Sequence, residues 1–151
     1  MTEPTAGLKR GYYLLNTDGG DTSNGQRRAG DPLPVAAIGV LLRTRRLVTV
    51  AQISKPIGPA THNVAEYQAL IEGLKLAREH GIEHIRVFMD SELVVDQVNG
   101  VSAVKEARLS ALHADVSSLR ALFKSFRVSW VPREMNAEAD RLVRDALGAL
   151  G

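Results

Sequence analysis

Four acidic side chains are the strongest candidates for chemistry in this sequence. They are Asp18, Glu66, Asp90 and Asp140. Carboxylates that converge repel one another, so a cluster of them is costly unless cations neutralise it. Hard oxygen ligands with open coordination positions suit Mg²⁺ or Mn²⁺. Two such ions can activate a water molecule and stabilise the leaving oxygen of a phosphodiester, so convergence of these acids would indicate metal-dependent phosphodiester hydrolysis.

Five apolar, β-prone runs predict the strands that would position these acids. They span Tyr12–Thr17, Val35–Leu42, Leu47–Ile53, Ile85–Met89 and Arg127–Val131. The first run ends at the turn signal of residues 18–20, and the polar segment Asp21–Pro34 predicts a long loop. A short basic turn at Arg43–Arg46 then predicts a meander of the first three strands, and Pro56–His62 predicts a linker after them.

Four helices are predicted around these strands. The first opens at Asn63, a candidate N-cap with Glu66 as its capping-box partner, and Gly81 suits its C′ position. Ser91 caps a short second helix that Gly100 closes. The apolar stripe of the third helix comprises Leu109, Leu112, Val116, Leu119 and Phe123. The fourth helix has its candidate inward side chains at Leu142, Val143, Ala146 and Leu147.

The order of these elements predicts where the four acids meet. The pattern β-β-β-α-β-α-α-β-α predicts a mixed sheet with helices on its faces. The first and third strands of a meander run the same way, so the next helix can cross over, right-handed, to a fourth strand parallel to the first. The last helix opens at Asn136. The acids would then share the edge outside the carboxyl ends of the parallel strands, where open α/β sheets bind ligands.

Each acid also has an interpretation without chemistry. Asp18 suits a turn, Glu66 suits a capping box, and Asp90 could pair with the Ser91 cap. Asp140 could simply complement a helix dipole. The convergence of all four from one topology favours a metal site over four coincidences.

Composition limits the class of protein. The 151 residues, 44% of them apolar and 24% charged, predict one globular domain at 11–151 after a flexible tail at 1–10. No apolar run reaches the roughly 18 residues of a membrane span, and Met1–Arg10 lacks a secretory apolar core, so we expect a cytoplasmic location and no membrane partner. The absence of cysteine excludes disulfides and thiolate zinc sites. A net charge of +2 permits a polyanionic partner without requiring one.

Four stretches of sequence carry a resemblance to a known family. They are NTDGG at 16–20, THNVAEYQAL at 61–70, DSELVVDQVNG at 90–100 and WVPREMNAEAD at 130–140. Together they resemble the type 1 ribonuclease H family, in its branch of reverse transcriptase-like domains, from about Tyr12 to Leu147. The resemblance implies an α/β fold with a five-stranded mixed sheet, in the order 3-2-1-4-5 with strand 2 antiparallel, flanked by helices. It also implies a monomeric endoribonuclease that uses two Mg²⁺ or Mn²⁺ ions to cut the RNA strand of RNA–DNA hybrids.

The same resemblance implies roles for individual residues. Asp18 would bridge both ions, while Glu66 and Asp90 would hold the ion on the leaving-group side. Asp140 would hold the ion near the attacking water. Glu66 would also lie near the RNA 2′-OH, the group by which such a site distinguishes RNA from DNA. The expected substrate-binding residues are Gly19, Gly20, His62, Asn63, Ser91, Gln97, Arg133 and Asn136.

The sequence departs from the family pattern at three places, and these keep alternatives open. Asp21–Arg28 replaces a shorter turn after the first acid, residues 101–108 lack the basic helix of some members, and no histidine precedes Asp140. Arg133 is the nearest substitute for that histidine and would contact phosphate. His62 is either a substrate contact or a surface residue. The alternatives are a nuclease of this fold for another RNA-containing substrate, and a non-catalytic nucleic-acid-binding module, which a metal titration would distinguish.

Overall fold

The secondary structure follows the predicted order of elements. A computed structural model describes residues 11–23 and 25–149, and the predicted tail at 1–10 lies outside them. The elements are β1 (Tyr12–Asp21), β2 (Val35–Arg43), β3 (Thr49–Pro59), α1 (His62–Glu79), β4 (His84–Met89), α2 (Glu92–Val98), α3 (Ala107–Arg120), β5 (Ser125–Trp130), a 3₁₀ turn (Arg133–Asn136) and α4 (Ala137–Gly148). In this part of the chain no helix is long and apolar enough to cross a membrane.

The strands form one mixed sheet in the order β3-β2-β1-β4-β5. Strand β2 runs antiparallel to β1 and β3, whereas β4 runs parallel to β1 and β5. The predicted strand order and the antiparallel second strand are therefore confirmed. This topology places the carboxyl ends of β1, β4 and β5 at one edge of the sheet.

Helices cover the two faces of the sheet unequally. Helix α1 packs on β1 and β2 and against α3, and together they enclose the main apolar core. On the opposite face α4 packs on β1, β2 and β3 around a small second core that contains Ala37, Val143 and Ala146. Gly39 lets α4 approach closely, because a Cβ there would lie 2.2 Å from the Ala139 carbonyl oxygen.

The turn predicted at residues 18–20 is wrong, because β1 continues to Asp21. Gly19 and Gly20 pair with Ile38 and Ala37 in the antiparallel ladder with β2. Glycine serves here to admit a neighbour, since a Cβ on Gly19 would lie 2.3 Å from the backbone carbon of Ala65 in α1. Gly19 therefore lets α1 pack directly on the strand, while a Cβ on Gly20 would lie 3.0 Å from Val143 of α4.

The boundaries around β3 also differ from the prediction. The strand begins at Thr49 and continues to Pro59, through most of the predicted linker. Its pairing with β2 is irregular beside Pro56, and an edge strand tolerates proline because one of its sides lacks a partner. Helix α1 then begins at His62, and its N-cap is Thr61, whose side chain accepts a hydrogen bond from the Val64 amide, so the predicted Asn63 cap is wrong.

Candidate active site

Three of the four acids meet at the carboxyl-end edge of the sheet. Asp18 lies near the end of β1, Asp90 directly follows β4, and Glu66 lies in the first turns of α1. Each of the three offers a carboxylate oxygen, and these atoms all lie within 4.8 Å of one another. Asp18, Asp90 and the fourth acid, Asp140 on α4, line a cavity of about 370 Å³.

The close contact between β1 and α1 fixes the position of Glu66. The side chain of Glu66 is buried, and its Oε1 atom accepts a hydrogen bond of 2.9 Å from the Gly19 amide. The predicted capping-box bond is replaced by this contact with the sheet. The helix therefore cannot move off Gly19 without moving a carboxylate of the cluster.

His62 stands at the rim of the same cavity. Its Nε2 atom lies 3.5 Å from Glu66 Oε2, and its Nδ1 atom lies 3.8 Å from Asp21 Oδ2. The contact with Glu66 raises the pKa of His62, against the opposing effect of burial. The structure therefore places His62 beside the acids, between the carboxylates of Glu66 and Asp21. Its role as a substrate contact stays a prediction.

A buried chain of polar side chains holds Asp90. Asn136 donates hydrogen bonds through Nδ2 to the Thr17 carbonyl oxygen, at 3.0 Å, and to Asp90 Oδ2, at 3.3 Å. Asn16 donates to Asn136 Oδ1 at 3.0 Å and accepts a bond of 3.0 Å from Arg43 Nη2. Asn136 makes no capping bond with α4, so its buried amide serves to orient Asp90.

Replacing Asn16 with leucine should destabilise the protein. The substitution leaves Asn136 Oδ1 and one guanidinium N–H of Arg43 without their partner, and we expect a loss of about 1–3 kcal/mol in the free energy of unfolding. Urea unfolding of the N16L variant checks this value. An unchanged free energy of unfolding would show that water replaces the lost contacts.

Asp140 lies outside the tight group of three and is held by arginines. Arg144 Nε lies 3.1 Å from Asp140 Oδ2, and Arg133 Nη2 lies 3.8 Å from Asp140 Oδ1. Both arginine side chains are exposed and line the cavity. The sequence reasoning missed Arg144, although its position four residues after Asp140 on a predicted helix was the available signal.

The remaining predicted substrate-binding residues have different surroundings. Gly20 lines the cavity, and Asn63 lines an adjoining hollow beside the 21–27 segment. Ser91 caps α2 by accepting a hydrogen bond from the Val94 amide. Gln97 is buried and accepts a hydrogen bond of 2.7 Å from the Tyr67 hydroxyl, so its side chain lies in the interior of the protein.

Crowding and burial make the acids difficult to ionise. Burial, followed by the negative charges of Glu66, Asp90 and Asp140, raises the pKa of Asp18 to about 9. Burial is also the main reason that the pKa values of Glu66 and Asp90 are raised. At neutral pH the cluster therefore favours bound protons or a bound cation.

We expect the metal-free protein to lose stability as pH rises. The folded pKa of Asp18 exceeds its unfolded value of 3.8, so the folded state binds the proton more tightly. The resulting stabilisation is complete below about pH 4 and is lost towards about pH 9. The raised pKa values of Glu66, Asp90 and His62 act in the same direction.

Urea unfolding in the presence of a chelator, at about pH 5 and about pH 8, measures this effect. The free energy of unfolding should be smaller at the higher pH, and Mg²⁺ should restore part of the loss because only the folded state assembles the cluster that would bind it. A free energy of unfolding that increases with pH in the chelator would contradict the assigned direction.

Comparison with known proteins is consistent with this fold and site. The family model described as reverse transcriptase-like matches residues 25–146. The crystal structure of ribonuclease H1 from Halobacterium salinarum is 32% identical, with a TM-score of 0.81, over 92% of this chain and 99% of that one. LC11 ribonuclease H1, solved in complex with an RNA/DNA hybrid, is 34% identical, with a TM-score of 0.80, over 92% of this chain and 99% of that one. The chain belongs to the type 1 ribonuclease H family, within the reverse transcriptase-like domains.

A curated relative shows that the domain also occurs in longer proteins. The bifunctional protein Rv2228c of Mycobacterium tuberculosis is 37% identical over 136 residues, which cover 90% of this chain and 35% of that protein. The chain thus spans about a third of the length of this mycobacterial relative.

Proposed function

We propose that the protein is a metal-dependent endoribonuclease that hydrolyses the RNA strand of RNA–DNA hybrids. The observation that carries the proposal is the group of three carboxylates, whose ligand atoms lie within 4.8 Å of one another beside an open cavity. The relative solved with an RNA/DNA hybrid supports the choice of substrate. A non-catalytic module would gain nothing from a cluster whose ionisation opposes folding.

The donor set fits divalent cations. Carboxylate oxygens are hard ligands, and burial together with the neighbouring acids raises the pKa values of the cluster, so a cation that neutralises the carboxylates would relieve the cost of ionising them. Asp18, Glu66, Asp90 and Asp140 would hold two Mg²⁺ or Mn²⁺ ions. When bound, such ions supply an activated water and stabilise the charge on the leaving oxygen.

The other residues of the site would orient the substrate. Gly19 and Gly20 line the cavity beside the acids, where a nucleic-acid strand would contact their backbone. Asn136 keeps the Asp90 carboxylate aimed at the cluster. Arg133 and Arg144 lie at the mouth of the cavity, where their guanidinium groups can turn from Asp140 to a phosphate.

An Arg133→Ala variant should bind substrate more weakly while its chemical step is nearly unchanged. The side chain is exposed and pairs with Asp140 at the mouth of the cavity, so its loss removes a phosphate contact. We expect KM for the hybrid to rise about tenfold, which corresponds to about 1.4 kcal/mol, with kcat within about twofold. Steady-state kinetics at saturating Mg²⁺ measures both constants, and a fall in kcat alone would assign Arg133 to the chemical step.

The proposed activity is tested with end-labelled substrates of four kinds: RNA–DNA hybrid, double-stranded RNA, single-stranded RNA and DNA duplex. Each is incubated with Mg²⁺, with Mn²⁺ and with chelator, beside the Asp18→Asn variant as the inactive control. Metal-dependent cutting of only the RNA strand of the hybrid is the expected result. No cutting by a folded, metal-loaded protein would overturn the proposal.

A second candidate is a nuclease of the same fold that acts on another RNA-containing substrate. The observation in its favour is the long segment after Asp21, which lines a hollow of about 260 Å³ beside His62. A segment in this position can determine which kind of duplex enters the site. Preferential cutting of double-stranded RNA in the same assay would favour this candidate.

A further inference from the structure

One face of β4 and β5 carries no helix in the described residues. Helix α4 packs on β1, β2 and β3, whereas β4 and β5 have no comparable helix on that face. Along β4, residues buried in the main core alternate with partly exposed residues, which are His84, Arg86 and Phe88. The side chains of alternate residues point to opposite faces, so these three face away from the main core.

A row of arginines runs from β2 onto this uncovered face. In the sheet register Leu14 lies between Arg43 on β2 and Arg86 on β4, and Arg86 lies beside Arg127 on β5. Neighbouring strands are about 4.8 Å apart, so Arg86 and Arg127 are adjacent like charges, an arrangement that opposes folding. Arg43 pairs with Glu138 at 3.6 Å, but none of the ion pairs among the described residues includes Arg86 or Arg127.

An aromatic ring orients two of the guanidinium groups. Arg86 lies over the Tyr12 ring, 3.7 Å from its centroid, and Arg45 lies 5.5 Å from the same centroid. A guanidinium stacked on a ring keeps its N–H groups directed outward in its own plane. That geometry suits paired hydrogen bonds to the oxygens of a phosphate.

We propose that Tyr12, Arg45, Arg86 and Arg127, the arginine face, bind the sugar-phosphate backbone of the nucleic-acid substrate beyond the cleavage site. The proposal rests on the proposed function for the identity of the polyanion. The row at Leu14 lies four residues before Asp18 on β1, or about 13 Å along the strand. A nucleic-acid strand advances about 3.4 Å per residue, so its backbone would reach the row about four nucleotides from the scissile phosphate.

This surface also explains how the protein can hold a hybrid without a basic helix at 101–108. Phosphate contacts supply most of the sequence-independent affinity for nucleic acid, and they do not have to lie near the reacting bond. The arginine face would provide such contacts from the sheet itself. An acidic protein is the competing partner for the arginine face, and a polyglutamate probe distinguishes it from nucleic acid.

The test compares hybrids that can and cannot reach the arginine face. Fluorescence anisotropy in chelator, which prevents cleavage, measures binding of labelled hybrids of about 6 and about 18 base pairs across a range of salt concentrations. For the long hybrid, the R86Q/R127Q variant should bind about tenfold more weakly, and the slope of log K against log salt should fall by about two. The short hybrid should bind both proteins equally, and kcat at saturating long hybrid should not change.

The matched control removes the same charge elsewhere. K75Q/K124Q replaces two exposed lysines, one on α1 and one between α3 and β5, and should bind both hybrids as the wild type does. Because Arg86 packs on Tyr12, R127Q alone repeats the test if the double variant unfolds, with an expected slope change of about one.

Three results would overturn the proposal. The first is an unchanged affinity and salt slope for R86Q/R127Q on the long hybrid, and the second is an equal loss in K75Q/K124Q. The third is found with polyglutamate as a second labelled probe. If R86Q/R127Q binds polyglutamate more weakly than the wild type does but binds the long hybrid equally well, the face would be assigned to an acidic protein. If the wild-type protein binds the long hybrid through these arginines but cuts nothing, the proposed function fails and the nucleic-acid face stands.

Discussion

An Asp18→Asn variant is expected to lose cleavage while becoming more stable than the wild type at neutral pH. Asp18 is buried at the centre of the acidic cluster, where burial and three neighbouring acids raise its pKa to about 9. Asparagine keeps the shape and removes both the charge and the proposed metal-ligating carboxylate. We expect cleavage to fall at least about a thousandfold, equivalent to about 4 kcal/mol of transition-state stabilisation.

Single-turnover cleavage of the hybrid and urea unfolding in chelator measure the two effects on the same preparation. Asp115→Asn is the matched control, because Asp115 is exposed on α3 and should alter neither quantity. Wild-type cleavage by D18N would remove Asp18 from the metal site. A lower free energy of unfolding would contradict the repulsion inferred among the acids.

A Gly19→Ala variant is expected to lose both stability and activity. The added Cβ would lie 2.3 Å from the Ala65 backbone carbon and 2.5 Å from the Glu66 nitrogen, and these are backbone atoms that cannot rotate away. Helix α1 would have to move off β1, which would break the Gly19–Glu66 hydrogen bond and displace a carboxylate. Overpacking of this kind should cost about 3 kcal/mol or more of stability.

Thermal unfolding and hybrid cleavage by G19A check this result together. Gly148→Ala on α4 is the control, since a Cβ there meets no atom within 4 Å, and alanine in a helix should stabilise slightly. A G19A protein with the Tm and activity of the wild type would mean that α1 is not seated as closely as described.

Topology explains why the sheet and the grouping of the acids were predictable. The apolar periodicity located five strands, and the short turn between β2 and β3 left few allowed arrangements for them. The short turn and the crossover helix determine the strand directions. With these directions, the ends of β1 and β4 and the start of α1 must lie at one edge of the sheet. The acids were therefore located by chain direction, without any contact between side chains being known.

Details that depend on distant contacts were not predictable from local sequence. An Asp-Gly-Gly sequence reads as a turn, but Gly19 is needed for an approach by Ala65, which is 46 residues away. The Asn16–Asn136 bond joins residues that are 120 positions apart, and a single sequence gives no reason to pair them. A polar residue inside an apolar strand, on the same side as Asp18, was the only local sign of Asn16.

The buried chain of Arg43, Asn16 and Asn136 constrains how this site can be inherited or transplanted. Each member satisfies the hydrogen-bonding need of the next, so the loss of one leaves another buried polar group unpaired. Substitutions among the three should therefore appear jointly in related sequences, as a complete polar set or as an apolar replacement of the whole set. A designer who grafts the acids onto another domain of this fold would have to move these supporting residues with them.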